Sequence, residues 1–120
     1  MPTLPEPWEI KQGATFEKLL EWRDAAKSPY DLTGCHALLQ ARTTADSPDV
    51  LFEMSSEDGT IDITQGLGKI RLIFEDEATA NLDFDMAVFD LLVAFPDGTK
   101  RRCIDGEFVL SKGVTKWPTP

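Results

Sequence analysis

Residues 88–110, VFDLLVAFPDGTKRRCIDGEFVL, set two apolar runs on either side of one tight turn. Phe89, Leu91, Val93 and Phe95 alternate along the first run, and Ile104, Phe108 and Leu110 continue the pattern on the return. Successive side chains of a strand point to opposite faces, so a period of two gives each strand one apolar face. Between the runs stand Pro96, Asp97 and Gly98. Proline presets φ, aspartate bonds its own backbone and glycine accepts positive φ. The stretch predicts an antiparallel hairpin with one buried face.

Earlier segments behave alike. Ile70, Leu72 and Phe74 alternate with Lys69 and Arg71; Val50, Phe52 and Met54 alternate with Leu51 and Glu53; a turn at 57–60 leads into Ile61 and Ile63. Cys35, Ala37, Leu39 and Ala41 share the apolar face of a further strand, with His36, Gln40 and Arg42 opposite. Short strands with turn signals every ~8–12 residues are the pattern of a sandwich or barrel. Residues 75–83, EDEATANLD, are polar and rich in helix formers, which predicts one helical turn. Residues 15–27 satisfy two periods: Phe16, Leu19 and Leu20 fit a helix, while Phe16, Leu20 and Trp22 fit a strand. Beside so many strands we read the segment as β, with the helix left open by the spacing. Both ends are proline-rich, which favours extended, poorly paired backbone. The expected division is an arm over 1–12, a domain over 13–115 and a tail over 116–120.

With 120 residues, 42% of them hydrophobic, the chain is sized for one ordinary domain with a real core. The apolar run at Leu91–Phe95 is far short of the ~20 residues of a membrane helix. The opening MPTLPEPWEIKQG has no basic start followed by an apolar run, so no secretory signal is expected and synthesis is placed in a cytoplasm. Twelve basic against twenty-one acidic residues give a net charge of -9, which argues against nucleic-acid or anionic-membrane partners. Strict alternation puts Cys35 inward and Cys103 outward with Arg101, Asp105 and Glu107, so no disulfide is expected.

The inventory for catalysis is sparse. A nucleophile–base pair would have to use His36, the one histidine, on the polar face of its strand. The acids at 75–77, Asp83, Asp85 and Asp90 match neither a calcium loop nor a particular carboxylate pair. GLGK, residues 66–69, lacks the rest of a phosphate loop and leads into a strand. Neither catalytic residue, cofactor nor metal ligand is therefore assigned. The residues picked out for partner binding are Trp8, Ile10 and Trp117 at the two ends and Lys100 and Arg101 just after the hairpin turn. The KRR run at 100–102 reads two ways: contact with an acidic partner, or protection of a strand edge. Trp8, Trp22 and Trp117 raise the alternative of a sugar-stacking surface.

The order of motifs resembles that of a widespread family of small phage and prophage proteins. The opening matches through Gly13, Phe16, Asp31, Leu32, Thr33, Gly34 and Arg42; the middle through Gly59, Ile61, Gly68, Ile70, Leu72 and Thr79; the ending through Phe89, Asp90, Leu91, Gly98, Gly106, Val114 and Thr115. Phe89 stands where the family pattern has tyrosine, so a corner hydrogen bond from that ring is absent. The resemblance covers residues 13–115. It implies an all-β, immunoglobulin-like antiparallel β-sandwich of about seven strands with one short helical turn near 76–82. It further implies a non-enzymatic virion component, similar to docking domains of tail baseplate and fibre-anchoring proteins. Such a protein would be assembled in the host cytoplasm, as a homo-oligomer within a symmetric particle and in contact with other virion proteins. The alternative on the same fold is a module binding host-surface polysaccharide.

Overall fold

The computed structural model describes residues 3–64 and 68–116. Eight strands and one helix follow in order: β1 (Trp8–Lys11), β2 (Phe16–Glu21), β3 (His36–Arg42), β4 (Phe52–Ser55), β5 (Ile61–Thr64), β6 (Lys69–Phe74), α1 (Asp76–Ala80), β7 (Met86–Ala94) and β8 (Lys100–Ser111). They form a five-stranded sheet, β1-β8-β7-β3-β4, and a three-stranded sheet, β2-β6-β5. With β2, β3, β4, β5, β6, β7 and β8 read as B, C, C′, D, E, F and G, this is the strand order of an immunoglobulin-like sandwich. The helical turn over α1 lies in the connection from the smaller sheet to the larger.

The alternating residues meet between the sheets. Phe16 of β2, Leu39 of β3, Phe52 of β4, Ile70 and Leu72 of β6, Phe89 and Leu91 of β7 and Phe108 of β8 are all buried. Phe108 is the hub: its ring lies 4.3 Å from Phe89, 5.2 Å from Phe52 and 5.7 Å from Phe16. Aromatic pairs at these separations add about 0.5–1.5 kcal/mol each to their burial.

One open reading is settled as expected and two expectations change. First, β2 resolves the ambiguous segment as a strand paired antiparallel with β6, Phe16 facing Phe74 and Glu21 facing Lys69. Phe16 and Trp22 are buried while Leu19 is 60% exposed, which splits the helix-spaced trio across two faces. Second, the proline-rich opening is no loose arm. β1 pairs parallel with β8, Ile10 opposite Leu110, and adds an eighth, parallel strand to the seven antiparallel ones expected. Upstream, Thr3 bridges Asp105 and the Leu4 N–H donates to the Asp105 carbonyl at 2.8 Å. Pro5 and Pro7 fall in the gap between these two pairings, where a missing N–H removes no ladder bond. Leu4 fills the space that a side chain at Gly106 would occupy, 2.9–3.1 Å from its would-be Cβ. Deleting residues 1–12 therefore removes core as well as arm. Loss of Trp8 and of fully buried Ile10 is expected to cost at least ~3 kcal/mol in urea unfolding.

Third, Cys103 points inward. The β7–β8 ladder slips by one residue: Leu91 faces Ile104, but Leu92 faces Arg102. Cys103 is the extra residue of this bulge, and the odd–even rule fails beyond it. Both thiols are buried and free. Burial pushes the Cys103 thiol from an ordinary 9.0 up to about 11, and burial with the Asp31 and Asp97 charges raises that of Cys35. The unfolded Cys103 ionises first as pH rises, so the unfolded state then holds fewer protons and stability is expected to fall between about pH 9 and pH 11. At pH 8 a maleimide should label both thiols at least ~100-fold more slowly in the folded chain than in urea. Fast labelling of Cys103 in the folded chain contradicts the inward bulge.

Candidate interaction surface

The five residues picked out for partner binding end up in different places. Ile10 is fully buried in this chain and presents no atom to a neighbour. Trp8 is half-buried, stacked on Phe89 at 5.4 Å, with the Lys18 ammonium 5.5 Å from its ring centroid. Trp117 lies outside the described residues. Lys100 and Arg101 are exposed at the start of β8. Neither has an ion-pair partner among the described residues.

Among the described residues nothing covers the sheet edge beside those two. β1 pairs with Phe108–Ser111, and the Thr3 bridge reaches Asp105. Among the described residues no strand pairs with Lys100–Arg102 on the side away from β7. After the bulge, Arg101 sits opposite core-facing Val93 and Arg102 opposite outward Leu92, so the two guanidiniums leave the edge on opposite faces.

The facing wall comes from the loop between β2 and β3. The Trp22 N–H donates to the Gly68 carbonyl and the Tyr30 N–H to the Trp22 carbonyl, both at 2.8 Å. These bonds stack the Trp22 and Tyr30 rings at 4.5 Å, with Phe95 tilted against both. Asp24 Oδ1 accepts from the Ala26 N–H at 2.9 Å and the Ser28 N–H at 3.0 Å, which tightens the loop tip. The result is an open cleft of about 710 Å3, with Trp22, Arg23, Tyr30, Leu92, Arg101 and Arg102 on its walls. Arg23 pairs with Glu21 at 2.6 Å, and Arg102 with Asp90 at 3.4 Å and Asp105 at 3.6 Å. Among the described residues, Arg101 is the guanidinium on these walls without such a partner.

Three turns share one device, which the sequence reading named only at Asp97. In Asp31-Leu32-Thr33, Asp58-Gly59-Thr60 and Asp97-Gly98-Thr99 the aspartate Oδ1 accepts from the threonine N–H, at 3.0, 2.9 and 2.8 Å. The Thr33 hydroxyl bond, then its N–H bond, hold Asp31 below its ordinary pKa. The Thr99 N–H, then its hydroxyl, do the same for Asp97, with a contribution from the Arg101 charge. At Asp58 burial works the other way, but the Thr60 and Ser55 hydrogen bonds outweigh it and the carboxyl is lowered. The spacing Asp-x-Thr was the available signal, since an aspartate caps the amide two residues on.

His36 lies on the outer face of the larger sheet, its Nδ1 3.3 Å from Glu57 with both side chains well exposed. Beside it the cross-strand pair Leu38 and Leu92 is partly exposed above a shallow hollow. Among the described residues no group of three or more His, Cys, Asp and Glu side chains is placed to hold a metal ion. Nor is any helix there long and apolar enough to cross a membrane. No protein-family model matches the chain, and neither does any curated protein sequence.

Proposed function

We propose that this chain is a non-enzymatic structural component of a bacteriophage particle, in the tail, baseplate, neck or capsid surface, and that it acts by protein–protein assembly. The resemblance to small phage and prophage proteins motivates the particle. The observation that carries the mode of action is the basic start of β8 on a sandwich, its outer edge left without a partner strand among the described residues. A sheet edge offers backbone donors and acceptors to a neighbouring chain, and repetition in a symmetric particle turns weak single contacts into stable assembly.

The residues that carry the resemblance serve the framework. Gly13 and Thr79 are hydrogen-bonded to each other, Gly68 gives its carbonyl to Trp22, Asp31 caps Thr33, and Phe16 and Phe89 are core rings. Purified chain mixed with the other proteins of its particle is expected to enter a defined complex or oligomer in size-exclusion chromatography with light scattering. Persistence as an unassociated monomer with every particle protein contradicts the proposal. The polysaccharide alternative draws less support, because Trp22 is 7% exposed and Trp8 is engaged against Phe89. Saturable glycan binding that Trp8→Ala or Trp22→Ala abolishes without unfolding the chain would favour it instead.

A further inference from the structure

We propose that the open edge of β8 at Lys100–Arg102 is the docking site for an extended, acidic segment of a partner protein, which adds as a strand beside β8 and sets its carboxylates against Lys100 and Arg101. The inference rests on the assembly reading and names the surface and the partner chemistry.

Two independent features point there. The first is backbone: β1 and the Thr3–Leu4 stretch already extend β8 from Asp105 onward, and among the described residues none pairs with Lys100–Arg102 on that side. Donors and acceptors along that edge are held in strand geometry by β7, so a second chain gains ladder bonds without ordering the host. The second is charge. The molecule carries a net charge of -9, yet Lys100, Arg101 and Arg102 stand consecutively on this edge, with Arg23 across the cleft. Carboxylates elsewhere on the surface repel an acidic segment, while this rim attracts it, which fixes where such a segment docks.

The nearby acids are already engaged. Asp105 and Asp90 lie within ion-pair distance of Arg102, Asp97 accepts from the Thr99 N–H, and Asp24 accepts from Ala26 and Ser28. Arg101 is left to bind a carboxylate from outside. The cleft of about 710 Å3 beside it has room for side chains, and the Trp22–Tyr30 stack gives them an apolar wall. An oligonucleotide fits the charge of the rim but meets a repelling molecule everywhere else. Three edge residues supply few ladder bonds, so one site is expected to bind in the micromolar to millimolar range and to rely on multiplicity.

The test is fluorescence anisotropy of the full chain with a labelled peptide of about eight residues, the length of an ordinary strand, with adjacent glutamates at its centre and valines on both sides, so that carboxylates reach Lys100 and Arg101 on opposite faces of the edge. Saturable binding is expected, weakened at least ~10-fold by Arg101→Glu, weakened by salt, and lost when alternate peptide amides are N-methylated. Arg101 is exposed, so the variant should keep its circular-dichroism spectrum, and Lys100→Glu provides a second reading of the same edge. No saturable binding, equal binding to Arg101→Glu and Lys100→Glu, equal binding of the N-methylated peptide, or displacement by a single-stranded oligonucleotide as readily as by unlabelled peptide each overturns the proposal. A chain that joins particle proteins but ignores the peptide overturns the docking site alone. One that binds the peptide but joins no particle protein overturns the particle role alone.

Discussion

Gly68→Ala is expected to destabilise the domain by about 3–5 kcal/mol and to lower Tm by about 10–15 °C. Gly68 has φ +63°, in the left-handed region, where a Cβ is strained against its own carbonyl. The added methyl would also land 2.5 Å from the Trp22 carbonyl oxygen and 2.7 Å from the Tyr30 nitrogen. Both obstacles are backbone, so no side-chain rotation relieves them. The same two residues form the stack beside the cleft and are joined to each other and to Gly68 by hydrogen bonds. Gly59→Ala is the control. Its φ is +85°, but nothing lies within 4 Å of the new methyl, so only the conformational cost of about 1–2 kcal/mol applies. Equal effects of the two substitutions in thermal unfolding contradict the close packing at Gly68.

Thr79→Val is expected to cost about 2–4 kcal/mol, and Thr79→Ser no more than about 1 kcal/mol. Thr79 is fully buried, the one polar residue among the buried set described. Its hydroxyl accepts from the Gly13 N–H at 3.1 Å and lies 2.8 Å from the Ala14 carbonyl and 3.0 Å from that of Asp76. One oxygen thus ties the turn after β6 to the connection between β1 and β2. Valine preserves the shape and removes the hydroxyl, which strands the Gly13 N–H and the Ala14 carbonyl; serine keeps the hydroxyl and loses one methyl. Urea unfolding of the pair separates the two contributions. A valine variant no weaker than the serine variant shows that water satisfies those backbone groups and the tie is dispensable.

How much was legible follows from where each signal resides. The β7–β8 hairpin was plain, because alternation and Pro96-Asp97-Gly98 are local in the chain. The strand nature of β2 was legible only through its neighbours, since Phe16, Leu19 and Leu20 satisfy a helical period equally well. The bulge at Cys103 was not legible: no glycine marks it, and a one-residue slip is set by the partner strand. β1 was hidden by its prolines and by its length of four residues, too short to display a period. Of the site, Lys100 and Arg101 were visible as a charge run, but the cleft joins them to Trp22 and Tyr30, which lie some seventy residues away in the chain. That juxtaposition depends on the order of strands in two sheets.

Phage particles offer the most direct test of the proposed assembly role. Quantitative mass spectrometry of phage particles purified from the host that expresses this chain should find it at a fixed copy number, in ratio with the other structural proteins, through successive density gradients. A chain that stays in the lysate while intact particles purify without it would contradict the account.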